Sequence, residues 1–304
     1  MNAVVDTKQQ IRDFLADCSL EVTPGGASKI ENFQDILRPA STVFVTFLPG
    51  SDFQDTIKTV KRLHQEGMNP VPHFAARSIP SKKFLEENLI ALQAEARVSE
   101  VLIIGGGVDK PLGDFSCTME VLRTGLMQKH GITRIGIAGH PEGSPDIPEA
   151  DVRSSLLEKN AYAKEHQLDM YITTQFCFEA EPIIAWDRRI REEGNELPIH
   201  IGIPGLATIK TLLNHARACG IGASMRVITR QAANITKLMT TRMPDKLVRE
   251  LAAYQASHPD CGITQCHLYP LGGLKKSAAW LYAVQDGLFT PNPRDGFKLD
   301  IDIG

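Results

Sequence analysis

Two periods alternate along this chain. Short runs of β-branched and apolar residues recur at Ser19–Thr23, Thr42–Phe47, Asn69–Phe74, Glu100–Ile104, Arg134–Ala138, Met170–Gln175, Ile199–Ile203 and Ile263–Tyr269, and each reads as a strand. Several are almost continuously apolar, as in Val101-Leu102-Ile103-Ile104, which is what a parallel strand buried on both faces requires. The segments between them carry a helical period instead. Ile57, Val60, Leu63 and His64 follow it, as do Phe84, Leu85, Leu89 and Leu92 behind Pro80-Ser81. Ser154–Ala163 and Glu181–Glu192 behave alike, and Leu247, Val248 and Leu251 share one face behind Pro244-Asp245. Proline fits a first helical turn because its missing N–H would have no intrahelical partner there. Near the N-terminus Ile11, Phe14 and Leu15 share a face, with Asp6 or Thr7 placed to cap that helix. The tail Thr290–Gly304, with Pro291, Pro293 and Gly296, reads as extended over the surface.

Strands that alternate with helices imply parallel βαβ units, and eight of them imply closure. The expected fold is therefore α/β: a (β/α)8 TIM barrel with an N-terminal helix and an extended C-terminal tail. Its 304 residues suit one such barrel, which needs about 250. No linker or low-complexity stretch interrupts them, so residues 1–304 read as a single domain. The rival is an open doubly wound sheet, whose dinucleotide fingerprint should follow the first strand. Thr23-Pro24-Gly25-Gly26 stands there and lacks the G-x-G-x-x-G spacing, while Gly105-Gly106-Gly107 follows the fourth strand.

Composition narrows the class of partner. A formal net charge of −3 gives no electrostatic case for nucleic acid. No apolar run approaches the ~20 residues of a membrane span, and the N-terminus lacks a basic stretch followed by an apolar core. Cys18, Cys117, Cys177, Cys219, Cys261 and Cys266 include no CxxC pair, so no metal site is expected and a reducing cytoplasm is. The sequon Asn234-Ile235-Thr236 would matter only in a secreted protein.

Chemistry in such a barrel sits at the C-terminal ends of the strands. Those ends carry Glu21, Thr46, His73, the Gly105–Gly107 turn, His140 with Glu142, Gln175, Pro204-Gly205, and His267 with Tyr269. Burying ionisable groups costs free energy unless they are paired, so their convergence points to a ligand. Each also has a plainer reading. Glu21 can be a carboxylate paired inside the mouth, His73 and His267 hydrogen-bonded core histidines, and the glycine triplet a tight turn. Lys275-Lys276 can be a solvated helix start or a magnet for an acidic ligand tail.

The same residues carry a family resemblance. Ser19-Leu20-Glu21 resembles the S-F-E of methylenetetrahydrofolate reductases, Val45-Thr46-Phe47 their V-T-Y/F, and Pro72-His73-Phe74 their P-H-L. Pro141-Glu142-Gly143-x-Pro145 is similar to the Y-P-E-x-H-P segment, and Ile172-Thr173-Thr174-Gln175-Phe176-Cys177-Phe178 to I-T-Q-F/L-F-F. Ile203-Pro204-Gly205 and His267-Leu268-Tyr269 complete a series that runs in order from Ser19 to Tyr269.

The resemblance implies an enzyme that interconverts 5,10-methylenetetrahydrofolate and 5-methyltetrahydrofolate through bound FAD, with NADH or NADPH as donor in a ping-pong cycle. It makes Glu21 the general acid, which protonates the folate amine as its ring opens to an iminium. It makes Gln175 the residue that hydrogen-bonds the pterin. Thr46, His73, Ala138, Asn160 and Lys164 become flavin contacts, with His140 and the Gly105, Gly106 and Gly107 turn beside them. The chain departs from the pattern in places. The family's R-G-D at strand four is Gly105-Gly106-Gly107, its Tyr before P-E is His140, and its x-H-P histidine is Ser144. The Asn-Arg after the last strand is Gly272-Gly273, which leaves Lys275 as the substrate-binding stand-in. The missing aspartate keeps two other readings open: a flavin-free reductase that takes hydride directly from the nicotinamide, and a folate-binding barrel without turnover. A Schiff-base lyase would need a lysine at a strand end, and none is there. Divergence also leaves room for the reverse reaction, oxidation of 5-methyltetrahydrofolate. The expected partners are the folate and a second copy of the chain.

Overall fold

Each apolar run becomes a strand: β1 Ser19–Val22, β2 Thr42–Val45, β3 Asn69–Ala75, β4 Glu100–Ile104, β5 Arg134–Gly139, β6 Asp169–Phe176 and β7 Ile199–Pro204. Two short strands follow, β8 Ala207–Thr208 and β9 Thr241–Arg242, and then β10 Ile263–Tyr269. The computed structural model describes residues 6–144, 147–212, 241–292, 294 and 296–303. The Asn234 sequon, Cys219, Pro145, Pro293 and Gly304 lie outside the described residues. The long strands close into a barrel in the order β1-β10-β7-β6-β5-β4-β3-β2, with helices between them. This is the (β/α)8 architecture that the alternation predicts, and β8 pairs β9 separately.

Two helices begin where the sequence signals them. Asp6 caps Thr7–Phe14 by accepting from Lys8 N at 2.9 Å, and Ile11 and Phe14 are buried. Ser81 caps Lys82–Ala96 by accepting from Phe84 N at 3.1 Å. The helix Glu149–His166 starts five residues before its predicted Ser154, because that extra turn is acidic and carries no apolar period. No helix among the described residues is long and apolar enough to cross a membrane.

The described residues group into two compact units. One comprises Ser19–Ala138 and Glu158–Thr173, the other Met1–Cys18, Gly139–Leu157 and Thr174–Gly304. In the first, β1 to β5 pair in parallel, with Glu21 opposite Phe44, Phe44 opposite Val71, His73 opposite Leu102 and Leu102 opposite Gly136. Side chains alternate across a strand, so Phe44, Val71, Leu102 and Tyr171 point to one face, where they pack together with Ile104. Gly136 is small for a reason: a Cβ there would lie 2.8 Å from the Tyr171 ring and 2.9 Å from Leu102. Below this layer Arg134 lies over the Tyr171 ring at 4.9 Å and pairs with Asp169 at 3.5 Å and Glu100 at 3.9 Å. These three charged residues open β4, β5 and β6. Burial pushes the Glu100 carboxyl up, and pushes the neighbouring Tyr171 phenol up as well.

In the second unit β7 pairs β10 in parallel, and the tail is extended and folds on itself. Its strands β11 Phe289–Asn292 and β12 Gly296–Leu299 are antiparallel. Phe289 and Phe297 are buried 4.7 Å apart, with Phe297 stacked on Trp280. Trp280 Nε1 donates to Asp245 Oδ1 at 3.0 Å, and burial pushes the Asp245 carboxyl up to about 6.

Candidate active site

The period of two that fills the barrel also sets its mouth. Continuing the inward positions toward the C-terminal ends leads from Phe44 to Thr46, from Val71 to His73, from Gly136 to Ala138, and from Tyr171 to Thr173. Glu21, opposite Phe44, belongs to the same set. Its side chain is half-buried. Thr46 is fixed by its own N–H, which donates to Val22 O at 3.0 Å. Its hydroxyl Oγ1 is buried and has no hydrogen-bond partner among the described residues. His73 is 5% exposed, with its ring edge-on to Phe44 at 5.7 Å. Thr173 Oγ1 is a second buried hydroxyl without a partner among the described residues.

The Gly105–Gly107 turn lies on the end of β3. Gly106 has φ +91°, a conformation that favours glycine, and a Cβ there would sit 3.1 Å from Ala75 Cβ. A Cβ on Gly105 or Gly107 would meet nothing within 4 Å. Asn160 and Lys164 stand four apart on Glu149–His166, so they share a face, with Asn160 half-buried and Lys164 exposed. Tyr162 anchors that stretch by donating from its hydroxyl to Leu122 O at 2.9 Å. The first unit therefore holds Glu21, Thr46, His73, Gly105–Gly107, Ala138, Asn160 and Lys164.

His140, Gln175 and Lys275 belong to the second unit. Gln175 extends the inward series of β6 and is half-buried. Beside it β7 approaches very closely, since a Cβ on Gly202 would lie 2.5 Å from Thr174 O and 2.8 Å from the Gln175 carbonyl. Gly202 N donates to Thr174 Oγ1 at 2.8 Å, and Cys177 N to Gly202 O at 3.3 Å. Tyr269 donates from its hydroxyl to Thr174 O at 2.8 Å. Its ring meets Phe176 at 5.3 Å and His267 at 4.7 Å, an aromatic wall that Phe178 extends. Burial, helped by the charge of Glu142, pushes the Cys177 thiol up, so this cysteine is inert. His140 is half-buried just past β5. Lys275 is exposed in the first turn of Leu274–Gln285, a helix with no side-chain cap and no acidic residue in that turn. Uncapped N–H groups and a lysine there suit an anionic group.

Two contributors escape sequence reasoning. Thr173 had a signal, since it shares the parity of Tyr171 and Gln175. Arg77, which binds the loop after β4, had none, because loop arginines follow no period. Among the described residues no group of three or more His, Cys, Asp or Glu could hold a metal ion.

Comparison with known proteins bears on the family and the fold. The family described as methylenetetrahydrofolate reductase matches residues 23–271. Methylenetetrahydrofolate reductase 2 of Saccharomyces cerevisiae is 33% identical over 86 residues, 27% of this chain and 14% of that protein. Methylenetetrahydrofolate reductase 1 of Schizosaccharomyces pombe is 30% identical over 87 residues, 29% of this chain and 14% of that protein. These alignments thus span only about a seventh of the curated relatives. Among solved structures, an uncharacterized protein from Clostridium thermocellum that binds two copies of 5-methyl-5,6,7,8-tetrahydrofolic acid superposes with a TM-score of 0.54 at 12% identity. The match covers 90% of this chain and 99% of that one, and it shows the shared fold.

Proposed function

The chain belongs to the methylenetetrahydrofolate reductase family, and on that premise we propose that it interconverts 5,10-methylenetetrahydrofolate and 5-methyltetrahydrofolate, with FAD bound in the mouth and NADH or NADPH as donor. The observation that carries the reading is the shared parity of Glu21, Thr46, His73 and Ala138 on the inner face of one unit, within the matched family region apart from Glu21 just before it.

The residues present fit a flavin. A buried hydroxyl without a partner is rare in a folded protein, and among the described residues Thr46 Oγ1 is one, at a strand end where a ligand can satisfy it. Open space at Gly105 and Gly107 leaves room for a flat ring, and the ammonium of exposed Lys164 is suited to a phosphate. Thr46, His73, Ala138, Asn160 and Lys164 would hold the cofactor, with His140 and the glycine turn at its border. Bound FAD would supply the hydride relay between nicotinamide and folate. The chain supplies the rest. Glu21 donates a proton to the folate amine nitrogen as the five-membered ring opens, so that one hydride and one proton together complete the reduction. Gln175 offers an amide to the pterin edge, the aromatic wall of Phe176 and Tyr269 excludes water beside it, and Lys275 attracts the carboxylates of the folate tail. The folate bound by the Clostridium thermocellum protein supports the same substrate class here. Cys117, Cys177 and Cys261 are free thiols, which fits the reducing cytoplasm we propose for it.

The test is turnover of NADH or NADPH with 5,10-methylenetetrahydrofolate, before and after Glu21→Gln. Full activity in the variant would remove Glu21 from the acid role. A second reading, direct hydride transfer without flavin, is favoured by one observation: no side chain stands at Gly107, where the family places a carboxylate. Turnover in protein stripped of flavin would select it.

A further inference from the structure

The loop that follows β4 has an arginine at its neck that the proposed chemistry does not use. Arg77 lies in the short turn Ala76–Ser78 just after β3. Its main chain meets the loop twice: Arg77 N donates to Gly105 O at 3.0 Å, and Leu112 N donates to Arg77 O at 2.9 Å. Its side chain meets the loop twice more, with Nε donating to Ser116 O at 3.0 Å and Nη1 to Val108 O at 3.4 Å. One planar guanidinium thus bridges carbonyls on either side of residues 109–115 and closes the neck. The rest of the loop is built to match. A Cβ on Gly113 would lie 2.0 Å from Pro80 O, so the loop packs backbone to backbone there. Phe115 is buried beneath it, and Glu120 accepts from both the N–H and the hydroxyl of Ser116.

This clamp adjoins the glycine triplet. Gly105 and Gly107 have no side chain and face open space, so a ligand there meets main-chain N–H and C=O groups alone. Their directions are set by whatever holds the loop, and glycine itself imposes no preference. We infer that Arg77 is a positioning residue, which sets the main chain of Gly105–Gly107 for the ligand in the mouth by tying Val108 and Ser116 together. This rests on the proposed reading that flavin and folate bind there. A guanidinium suits the task because its donors are fixed in one plane, whereas the ammonium of lysine is a point donor that cannot span both carbonyls.

The experiment uses the full chain with Arg77→Met and Arg77→Lys. Amide hydrogen exchange is followed at residues 105–116, and affinity is measured separately for FAD and for 5-methyltetrahydrofolate. The expected result is faster exchange confined to this loop, led by Leu112, with dissociation constants about tenfold higher in Arg77→Met. Arg77→Lys recovers only part of that loss. Faster loop exchange with unchanged affinities would overturn the inference, as would unchanged exchange or full rescue by lysine. Faster exchange throughout the chain would reduce Arg77 to a stabilising role and overturn it equally. If the wild-type protein binds folate but no FAD, the flavin reading fails and the folate arm decides the role of Arg77. Binding of neither ligand would overturn both.

Discussion

Replacing Gly202 by alanine tests the packing account where β6 and β7 meet beside Gln175. The added Cβ would lie 2.5 Å from Thr174 O and 2.8 Å from the Gln175 carbonyl carbon and oxygen. Ordinary contact begins near 3.4 Å, so the strands must part by about 0.9 Å. The obstacles are main-chain atoms, which cannot rotate away as a side-chain tip would. Parting also stretches the bonds from Gly202 N to Thr174 Oγ1 and from Cys177 N to Gly202 O. Overpacking costs about 1–3 kcal/mol and each of the two weakened hydrogen bonds about 1 kcal/mol, for a total of about 3–5 kcal/mol. At about 2–4 °C per kcal/mol in a protein of this size, the melting midpoint should fall by at least about 6 °C. Gln175 moves with its carbonyl, so 5-methyltetrahydrofolate binding measured by calorimetry below the midpoint should weaken too. Gly105→Ala and Gly107→Ala are the controls. Neither site has a neighbour within 4 Å or a positive φ, so each midpoint should stay within about 1 °C. A Gly202→Ala protein as stable as those controls would refute the reasoning.

Glu21→Gln should bind folate normally and lose about 10²- to 10⁴-fold in the rate of folate reduction, read by stopped-flow, and wild-type turnover would remove the acid role. Thr46→Val should leave the melting midpoint unchanged, since Oγ1 has no partner among the described residues to lose, and should weaken FAD binding by about 2- to 10-fold. Equal FAD affinity in fluorescence titration would count against a flavin there. Asp245 sets a pH dependence. Its folded pKa, raised by burial to about 6, lies above the ordinary value, so its stabilisation is complete below pH ~4 and lost as pH rises through about 6. Asp245→Asn should therefore raise the midpoint at pH 7.5 by an amount worth up to about 3 kcal/mol and by less at pH 5. A constant difference across that range would show that this carboxyl does not titrate.

Much of the fold was legible because its signals are local. Val101-Leu102-Ile103-Ile104 is apolar on both faces and became β4 with its predicted bounds, and Ser81 capped the helix that its position announced. The mouth was legible for the same reason, since parity along each strand carries Glu21, Thr46, His73 and Gln175 inward. Other features depend on partners distant in sequence. Gly202 and Gly136 look like any strand glycine until Thr174 and Tyr171 are placed against them. The pairing of Glu100, Arg134 and Asp169 left only a faint trace, one charge at the start of each of three strands. Phe297 in the tail is buried against Phe289 and Trp280, a packing that depends on the β11–β12 hairpin, which Pro291 and Pro293 obscure.

The most direct test of the central claim is the visible spectrum of the purified protein supplied with FAD. The account predicts an oxidised-flavin spectrum that bleaches with NADH or NADPH and returns on adding 5,10-methylenetetrahydrofolate, with 5-methyltetrahydrofolate as product. A bound flavin that bleaches but is never reoxidised by the folate, or a protein that neither binds flavin nor oxidises NAD(P)H in the presence of folate, would contradict it.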